Sequence, residues 1–326
     1  MRELTVTCEN WPLAKAFTIA RGSKTCAEPV VATIAEGGFV GRGECLPYAR
    51  YGETVEGVAA AIRALAPDIA AGMDRAALQR ALPAGAARNA LDCALWDLEA
   101  KQAGRRVWDL AGLAEPGPVT TAYTLGLDSV EAMARAARAE AHRPLLKLKL
   151  AGEGDLDRVA AVRKAAPEAR LIVDANEGWR EDMLEPFGAA LAELGVAAIE
   201  QPLPAGRDGA LARWRRAVPV YADESCHDRK DLPSIAGKYD GINIKLDKTG
   251  GLTEALALKA MAAEAGLDIM VGCMVATSLS MAPALLLAQD AAIVDLDGAL
   301  LLARDREHGL RFAEGELFPP CVALWG

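Results

Sequence analysis

From Thr120 onward, short apolar runs recur at a near-constant interval, and their ends carry Lys149, Asp174, Glu200, Asp223, Lys245, Gly272 and Asp295 in turn. The successive steps are 25, 26, 23, 22, 27 and 23 residues, which is the length of one strand, one helix and two short connections. Strands are predicted at 120–125, 145–150, 170–174, 196–200, 219–223, 241–245, 268–272 and 292–295, with Ala/Leu/Arg-rich helices near 129–140, 155–166, 181–194, 207–216, 229–236, 251–265 and 278–288. Eight parallel strands of fewer than ten residues fit a (β/α) barrel better than an open sheet, with closure left to the structure, and barrel enzymes gather their chemistry at the C-terminal ends of the strands.

The run LLKLKL at 145–150 shows how strong this constraint is. Alternation puts Lys147 and Lys149 on one face and Leu146, Leu148 and Leu150 on the other. Taken alone, such a strand reads as a sheet edge with a solvated lysine face. Within a barrel the same lysines point into the closed interior. A single Asp after a strand is most often a helix cap or turn residue. Acids and lysines in register at six strand ends are a different matter.

The first 117 residues have another rhythm. β-Prone runs at 3–8, 17–20, 29–35 and 38–43, with a hairpin turn at EGG 36–38, precede helical patterns at 54–66, 74–81 and 86–103. AEPGPV at 114–119 marks a boundary, so the expected division is an α+β capping domain over 1–117 and a barrel over 118–304. The tail 305–326, which lacks the barrel rhythm, is expected to pack back on the cap.

Composition removes several classes of function. A net charge of -9 with scattered Lys and Arg offers no basic face for nucleic acid. Seven cysteines without a C-x-x-C pair suggest reduced thiols in a cytoplasm, and MRELTVTCEN reads as a strand and not as a signal peptide. Ile269–Gln289 carries no charge, but Gly272, Thr277, Ser278, Ser280 and Pro283 suit a buried strand, turn and helix start better than a membrane span.

Asp174, Glu200 and Asp223 form an all-oxygen set suited to Mg2+, with Mn2+ as a substitute, and Asn176 stands where it can support them. His142, His227 and His308 share no ligand spacing. Lys149 comes from the second strand and Lys245 from the sixth, across the barrel. Crowding by cations and burial is expected to lower a lysine's pKa toward the working range. Two such amines on either side of a carbon can take a proton from one face and return one to the other. The anion formed next to a carboxylate would be stabilised by the metal and by Lys147.

KLK at 147–149, DAN, EQP, ADES and NIK together resemble the muconate-lactonizing subgroup of the enolase superfamily. WPL at 11–13, ARGSKT at 20–25, PYARYGET at 47–54 and ARNALDCALWDLEAK at 87–101 are similar to its dipeptide epimerases. The resemblance implies an α+β capping domain on a (β/α)7β modified TIM barrel. It also implies one Mg2+ per subunit on Asp174, Glu200 and Asp223, the acid/base pair Lys149 and Lys245, and Lys147 on the substrate carboxylate. Asp295 and Asp297 would receive a dipeptide's ammonium, and Thr124, Cys273 and Val275 would line the pocket. Lys24 or Arg21 in a mobile cap loop would pair with a glutamate γ-carboxylate, although lysine lacks the bidentate fork of the arginine expected at position 24. The implied activity is two-base epimerisation of dipeptides, L-Ala-D/L-Glu first among them, in a cytoplasmic enzyme that serves murein peptide recycling and can form a homo-oligomer. o-Succinylbenzoate synthesis, N-succinylamino acid racemisation and cycloisomerisation on the same barrel are the alternatives.

Overall fold

The computed structural model describes residues 1–326. The cap begins with β1 (Glu3–Cys8), β2 (Trp11–Ile19), β3 (Gly22–Ala27), β4 (Val30–Glu36) and β5 (Phe39–Cys45). β1, β4 and β5 make an antiparallel sheet, while β2 and β3 form a separate hairpin. The expected turn at 36–38 is present, with Gly37 and Gly38 at φ 61° and 87°, the left-handed region that a two-residue hairpin turn demands. Helices α1 (Val55–Ala64), α2 (Ala66–Ala70), α3 (Arg75–Ala81), α4 (Ala86–Ala103) and α5 (Val107–Leu110) follow. Thr54 and Asp74 cap α1 and α3 through their side chains.

Helix α4 joins cap and barrel, which explains why it carries polar residues yet is buried nearly all round. Its small face lies on the cap sheet so closely that a methyl group on Gly43 would stand 2.1 Å from Ala90 O; β5 therefore needs glycine there. On its other face, Arg88 donates to Gly250 O, Asn89 donates to Asp247, and Asp92 accepts from Thr253 N.

After β6 (Val119–Thr120), the barrel strands are β7 (Tyr123–Leu125), β8 (Leu145–Lys149), β9 (Arg170–Asp174), β10 (Val196–Glu200), β11 (Val220–Ala222), β12 (Gly241–Ile244), β13 (Asp268–Gly272) and β14 (Ile293–Asp295). They pair in parallel in chain order, and Ala122 N donates to Val294 O across the remaining seam. The intervening helices are α6 (Val130–Ala139), α7 (Asp155–Ala165), α8 (Leu184–Glu193), α9 (Leu232–Ile235), α10 (Leu246–Thr249), α11 (Leu252–Glu264) and α12 (Ser278–Leu285). The uncharged stretch from Ile269 forms β13 and α12, and no helix is long and apolar enough to cross a membrane.

Two expectations need correction. Where 207–216 reads as a helix, only a 3-10 turn forms at Gly209–Ala212. Trp214 lies against Gly188 of α8, and Arg216 donates to Leu211 O and Lys238 O, which draws the segment out of helical register. The loop expected around 20–25 is the turn and second strand of the β2–β3 hairpin. The tail adds β15 (Phe312–Ala313) and β16 (Glu316–Leu317) against β6, then reaches the cap, where Trp325 Nε1 donates to Cys93 O and Gly326 N to Asp97.

Period-two alternation sorts the barrel interior into layers. Ala122, Leu145, Ile172, Ala198, Tyr221, Met270 and Ile293 close the lower end as one apolar cluster. Two residues further along each strand come Thr124, Lys147, Asp174, Glu200, Asp223, Gly272 and Asp295. Leu146, Leu148 and Leu150 face outward into the core under the helices. The strand at 145–150 thus owes its two lysines to a polar chamber above an apolar floor.

The seam between cap and barrel should respond to pH. Asp247 is fully buried, accepting from Leu46 N at 3.0 Å and Asn89 Nδ2 at 2.8 Å, and burial pushes its carboxyl up to about 7. The folded state binds this proton more tightly than the unfolded chain, whose value is near 3.8. Its contribution is therefore fully present below pH 4 and is lost as pH rises through 7, at about 1.4 kcal/mol for each tenfold change in proton affinity. Asp247→Asn should lose this dependence, so its melting temperature should gain on wild type between pH 5 and pH 8. A constant difference across that range would contradict the assignment.

Candidate active site

Strand pairing sets the acids side by side: Asp174 ends β9 opposite Glu200 of β10, and Asp223 follows β11. All three are buried. Lysines stand between them. Lys147 Nζ lies 2.6 Å from Glu200 Oε2, 2.6 Å from Asp295 Oδ2 and 3.3 Å from Asp174 Oδ2. Lys149 Nζ donates to Asp174 Oδ2 at 2.5 Å, and Lys245 Nζ to Asp223 Oδ2 at 2.6 Å. Gly272 makes room for the last contact, since a Cβ there would meet Lys245 Cε at 3.1 Å.

The charges set each other's protonation. Burial opposes ionisation of Asp174, but Lys149 and Lys147 outweigh it and hold the carboxyl at about 2. Asp223 is likewise driven down by Lys245 and Lys248 against its burial. Glu200 is pushed up by burial and by Asp174. Despite burial, Asp295 and Glu200 raise Lys147, and Asp223 and Glu200 raise Lys245, with Lys147–Asp295 and Lys245–Asp223 each in contact at 2.6 Å.

Above this layer opens a cavity of about 470 Å3, within the usual range for small-molecule sites. Lys149 and Lys245 both line it, as do Thr124, Asp223, Cys273, Val275, Asp295 and Asp297, with Arg21 and Lys24 in its roof. β8 and β12 are separated by three strands, so the two lysines enter from opposing walls of the barrel. Lys147, Asp174 and Glu200 lie beneath the cavity floor. Lys147, expected on the substrate carboxylate, bonds to carboxylates of the protein here and is not among the residues that line the cavity. Asp295 is bonded to Lys147, whereas Asp297 accepts from Thr124 N at 2.6 Å; burial and its neighbour Asp295 push Asp297 up to about 7.

The acidic trio fits a hard cation in kind: three buried carboxylates without sulfur or imidazole, among which Glu200 Oε2 and Asp223 Oδ1 lack an aligned hydrogen bond. The trio does not by itself close around one point. Each acid is drawn to an ammonium instead.

Sequence reasoning overlooked four residues here. Lys248 is fully buried, with Nζ on Asp223 O at 2.6 Å, Asn243 O at 2.8 Å and Asp223 Oδ1 at 2.7 Å, so it fixes that carboxylate. Asn243 Nδ2 donates to Glu200 Oε1 at 2.7 Å. Glu224 and Glu177 receive Arg21. The available signals were a second lysine one helical turn after Lys245 and an acid directly following Asp223.

A cap closing a barrel whose second and sixth strands bring lysines to an acidic chamber defines an enzyme of the enolase superfamily. The chain belongs to that superfamily, in the mandelate racemase / muconate lactonizing enzyme family: residues 1–112 match that family's N-terminal domain, and residues 129–318 match the enolase C-terminal domain-like family. Among its relatives, the L-Ala-D/L-Glu epimerase of Escherichia coli K12 is 48% identical over 97% of this chain and 99% of its own. An N-acetyl-D-glutamate racemase from Pseudoalteromonas is 47% identical over 91% of this chain and 95% of its own. A solved structure from Agrobacterium tumefaciens, an enolase family member with homology to dipeptide epimerases, contains bound sodium and L-Ala-L-Glu. It is 52% identical and superposes with a TM-score of 0.98 over all of both chains.

Proposed function

We propose that the protein epimerises dipeptides at the α-carbon of the second residue, with L-Ala-D/L-Glu as the principal substrate. The observation that carries this reading is the pair Lys149 and Lys245 lining one cavity from opposing strands above the acidic trio. The E. coli and A. tumefaciens relatives support it. We assign residues 1–117 to the cap, with 305–326 returning to it, and 118–304 to the catalytic barrel.

Asp174, Glu200 and Asp223 would hold Mg2+. When bound, the ion supplies positive charge for the enediolate that forms as the α-proton leaves. The protein's own side chains perform the proton transfers. One lysine, neutral, accepts the α-proton as the C–H bond breaks; the other, protonated, delivers a proton to the opposite face. The roles exchange in the reverse direction. Deprotonation of either lysine requires that the carboxylates now holding it share their charge elsewhere, which is the electrostatic reason for placing a cation in this chamber. A cytoplasmic setting and a part in murein peptide recycling belong to the same reading.

Asp297, with Asp295 beside it, faces the cavity as the acceptor for the dipeptide's ammonium. A charged hydrogen bond of this kind contributes about 1.5–3 kcal/mol, so Asp297→Gly should raise KM for L-Ala-L-Glu by about tenfold to a hundredfold. An unchanged KM would refute the ammonium role. N-acyl glutamate racemisation is the second reading, favoured by the Pseudoalteromonas relative and by Asp297's tendency to hold a proton, since an acyl group carries no cation. A screen of L,L and L,D dipeptides alongside N-acyl glutamates, read as α-proton exchange in deuterated water, separates the two. Exchange confined to N-acyl substrates would overturn the dipeptide assignment.

A further inference from the structure

The β2–β3 hairpin is fastened to the barrel along its strands, where Ala303 N donates to Pro12 O and Leu127 N to Thr18 O, each at 2.8 Å. Its turn is fastened by one side chain. Arg21 Nη2 lies 2.7 Å from Glu224 Oε1 and 3.0 Å from the Tyr48 hydroxyl; Nη1 donates to Asn176 O at 2.9 Å and reaches Glu177 Oε2 at 3.3 Å. These partners belong to three segments: the cap loop after β5, the loop after β9 and the loop after β11. The guanidinium, with its side chain 26% exposed, is therefore committed to the protein and not free for a ligand.

The receiving surface is built for it. Glu224 is buried, and Glu177 is gripped through both oxygens by Arg50 at 2.7 and 2.8 Å and by Ala205 N at 2.8 Å. Asn176 and Glu177 both hold left-handed backbone, at φ 44° and 67°, a conformation that two successive non-glycine residues keep only when their surroundings enforce it. This bend presents Asn176 O and the Glu177 carboxylate to Arg21 together. Lys24 has no ion-pair partner. Its Nζ stands 5.4 Å from the centre of the Tyr48 ring, whose hydroxyl Arg21 already holds, and it lines the cavity.

We propose that Arg21 is a positioning residue for substrate selection: by bonding Glu224, Glu177, Asn176 O and Tyr48 it seats the hairpin turn on the barrel and so holds Lys24 over the cavity. The two cations of the hairpin divide the work, Arg21 toward the protein and Lys24 toward the acidic side chain of the substrate's second residue. The inference rests on the proposed dipeptide substrate and on the expectation that Lys24 pairs with a glutamate γ-carboxylate, and it goes beyond both in what it assigns to Arg21.

The test compares wild type with Arg21→Met, Arg21→Lys, Lys24→Ala and the Arg21→Met/Lys24→Ala double variant. Backbone hydrogen exchange over residues 14–26 is followed together with kcat and KM for L-Ala-L-Glu and for a neutral dipeptide, L-Ala-L-Leu. In Arg21→Met, exchange in the hairpin should quicken by about tenfold or more while the barrel strands stay unchanged. KM for L-Ala-L-Glu should rise by about tenfold with kcat altered less than about threefold, and Arg21→Lys should fall between. The preference for Glu over Leu should drop in Arg21→Met and drop no further when that change is added to Lys24→Ala. Unchanged hairpin exchange in Arg21→Met would overturn the seating role. Additive losses of preference would overturn action through Lys24. A Lys24→Ala enzyme with wild-type preference would refute the Lys24 reading and the selectivity half of the proposal with it, whereas the seating half stands or falls on the exchange rates alone.

Discussion

Lys149→Ala and Lys245→Ala are each expected to abolish epimerisation, lowering kcat by at least about a thousandfold, while leaving each variant able to exchange the α-proton of one substrate isomer with solvent deuterium. General acid–base groups commonly contribute about 10^2 to 10^4 in rate, and here each lysine is the sole proton carrier for its face of the carbon. The isomer that still exchanges should differ between the two variants, because the surviving base faces opposite hydrogens. The fold should tolerate both changes. Without Lys149, Asp174 keeps Lys147 at 3.3 Å; without Lys245, Asp223 keeps Lys248 at 2.7 Å. Deuterium incorporation followed by proton NMR, with thermal melts as a control, provides the check. Wild-type epimerisation by both single variants would refute the two-base assignment.

The second large effect concerns the acidic trio. Glu200 stands between Asp174 and Asp223, with Asn243 holding Oε1 at 2.7 Å and Lys147 lying 2.6 Å from Oε2. Glu200→Gln preserves the shape but removes one of the three negative charges and replaces one ligand oxygen with an amide. Divalent-ion affinity should fall by more than about a hundredfold, beyond the loss typical for residues that only support a ligand. Titration calorimetry with Mg2+, or Mn2+ binding followed by its paramagnetic signal, measures this without reference to turnover, and activity should fall in parallel. Undiminished affinity for both ions would remove Glu200 from the ligand set.

The barrel was legible because its signal is covalent spacing combined with alternation. Each predicted barrel strand overlaps an observed one, and 170–174, 196–200 and 268–272 agree at both ends. Residues that cap apolar strands, such as Asp174 and Glu200, could be placed at one mouth from their register alone. What escaped reading was decided by contacts between distant segments. The helix expected at 207–216 yields to Trp214 on Gly188 and to Arg216 on the 238–240 loop. Arg21 and Lys24 were interchangeable as sequence, and only the positions of Glu224, Glu177 and Tyr48 separate them. The carboxylate partners of Lys245 and Lys147 could not be assigned from the sequence, because they lie 22 and 148 residues away in the chain.

The most direct test is a crystal structure with Mg2+ and L-Ala-L-Glu bound. The predicted result places the glutamyl α-carbon between the amines of Lys149 and Lys245, each about 3 to 3.5 Å away and on opposite faces, the separation at which proton transfer becomes effectively intramolecular. Both amines on one face, or either one beyond reach of the carbon, would contradict the account.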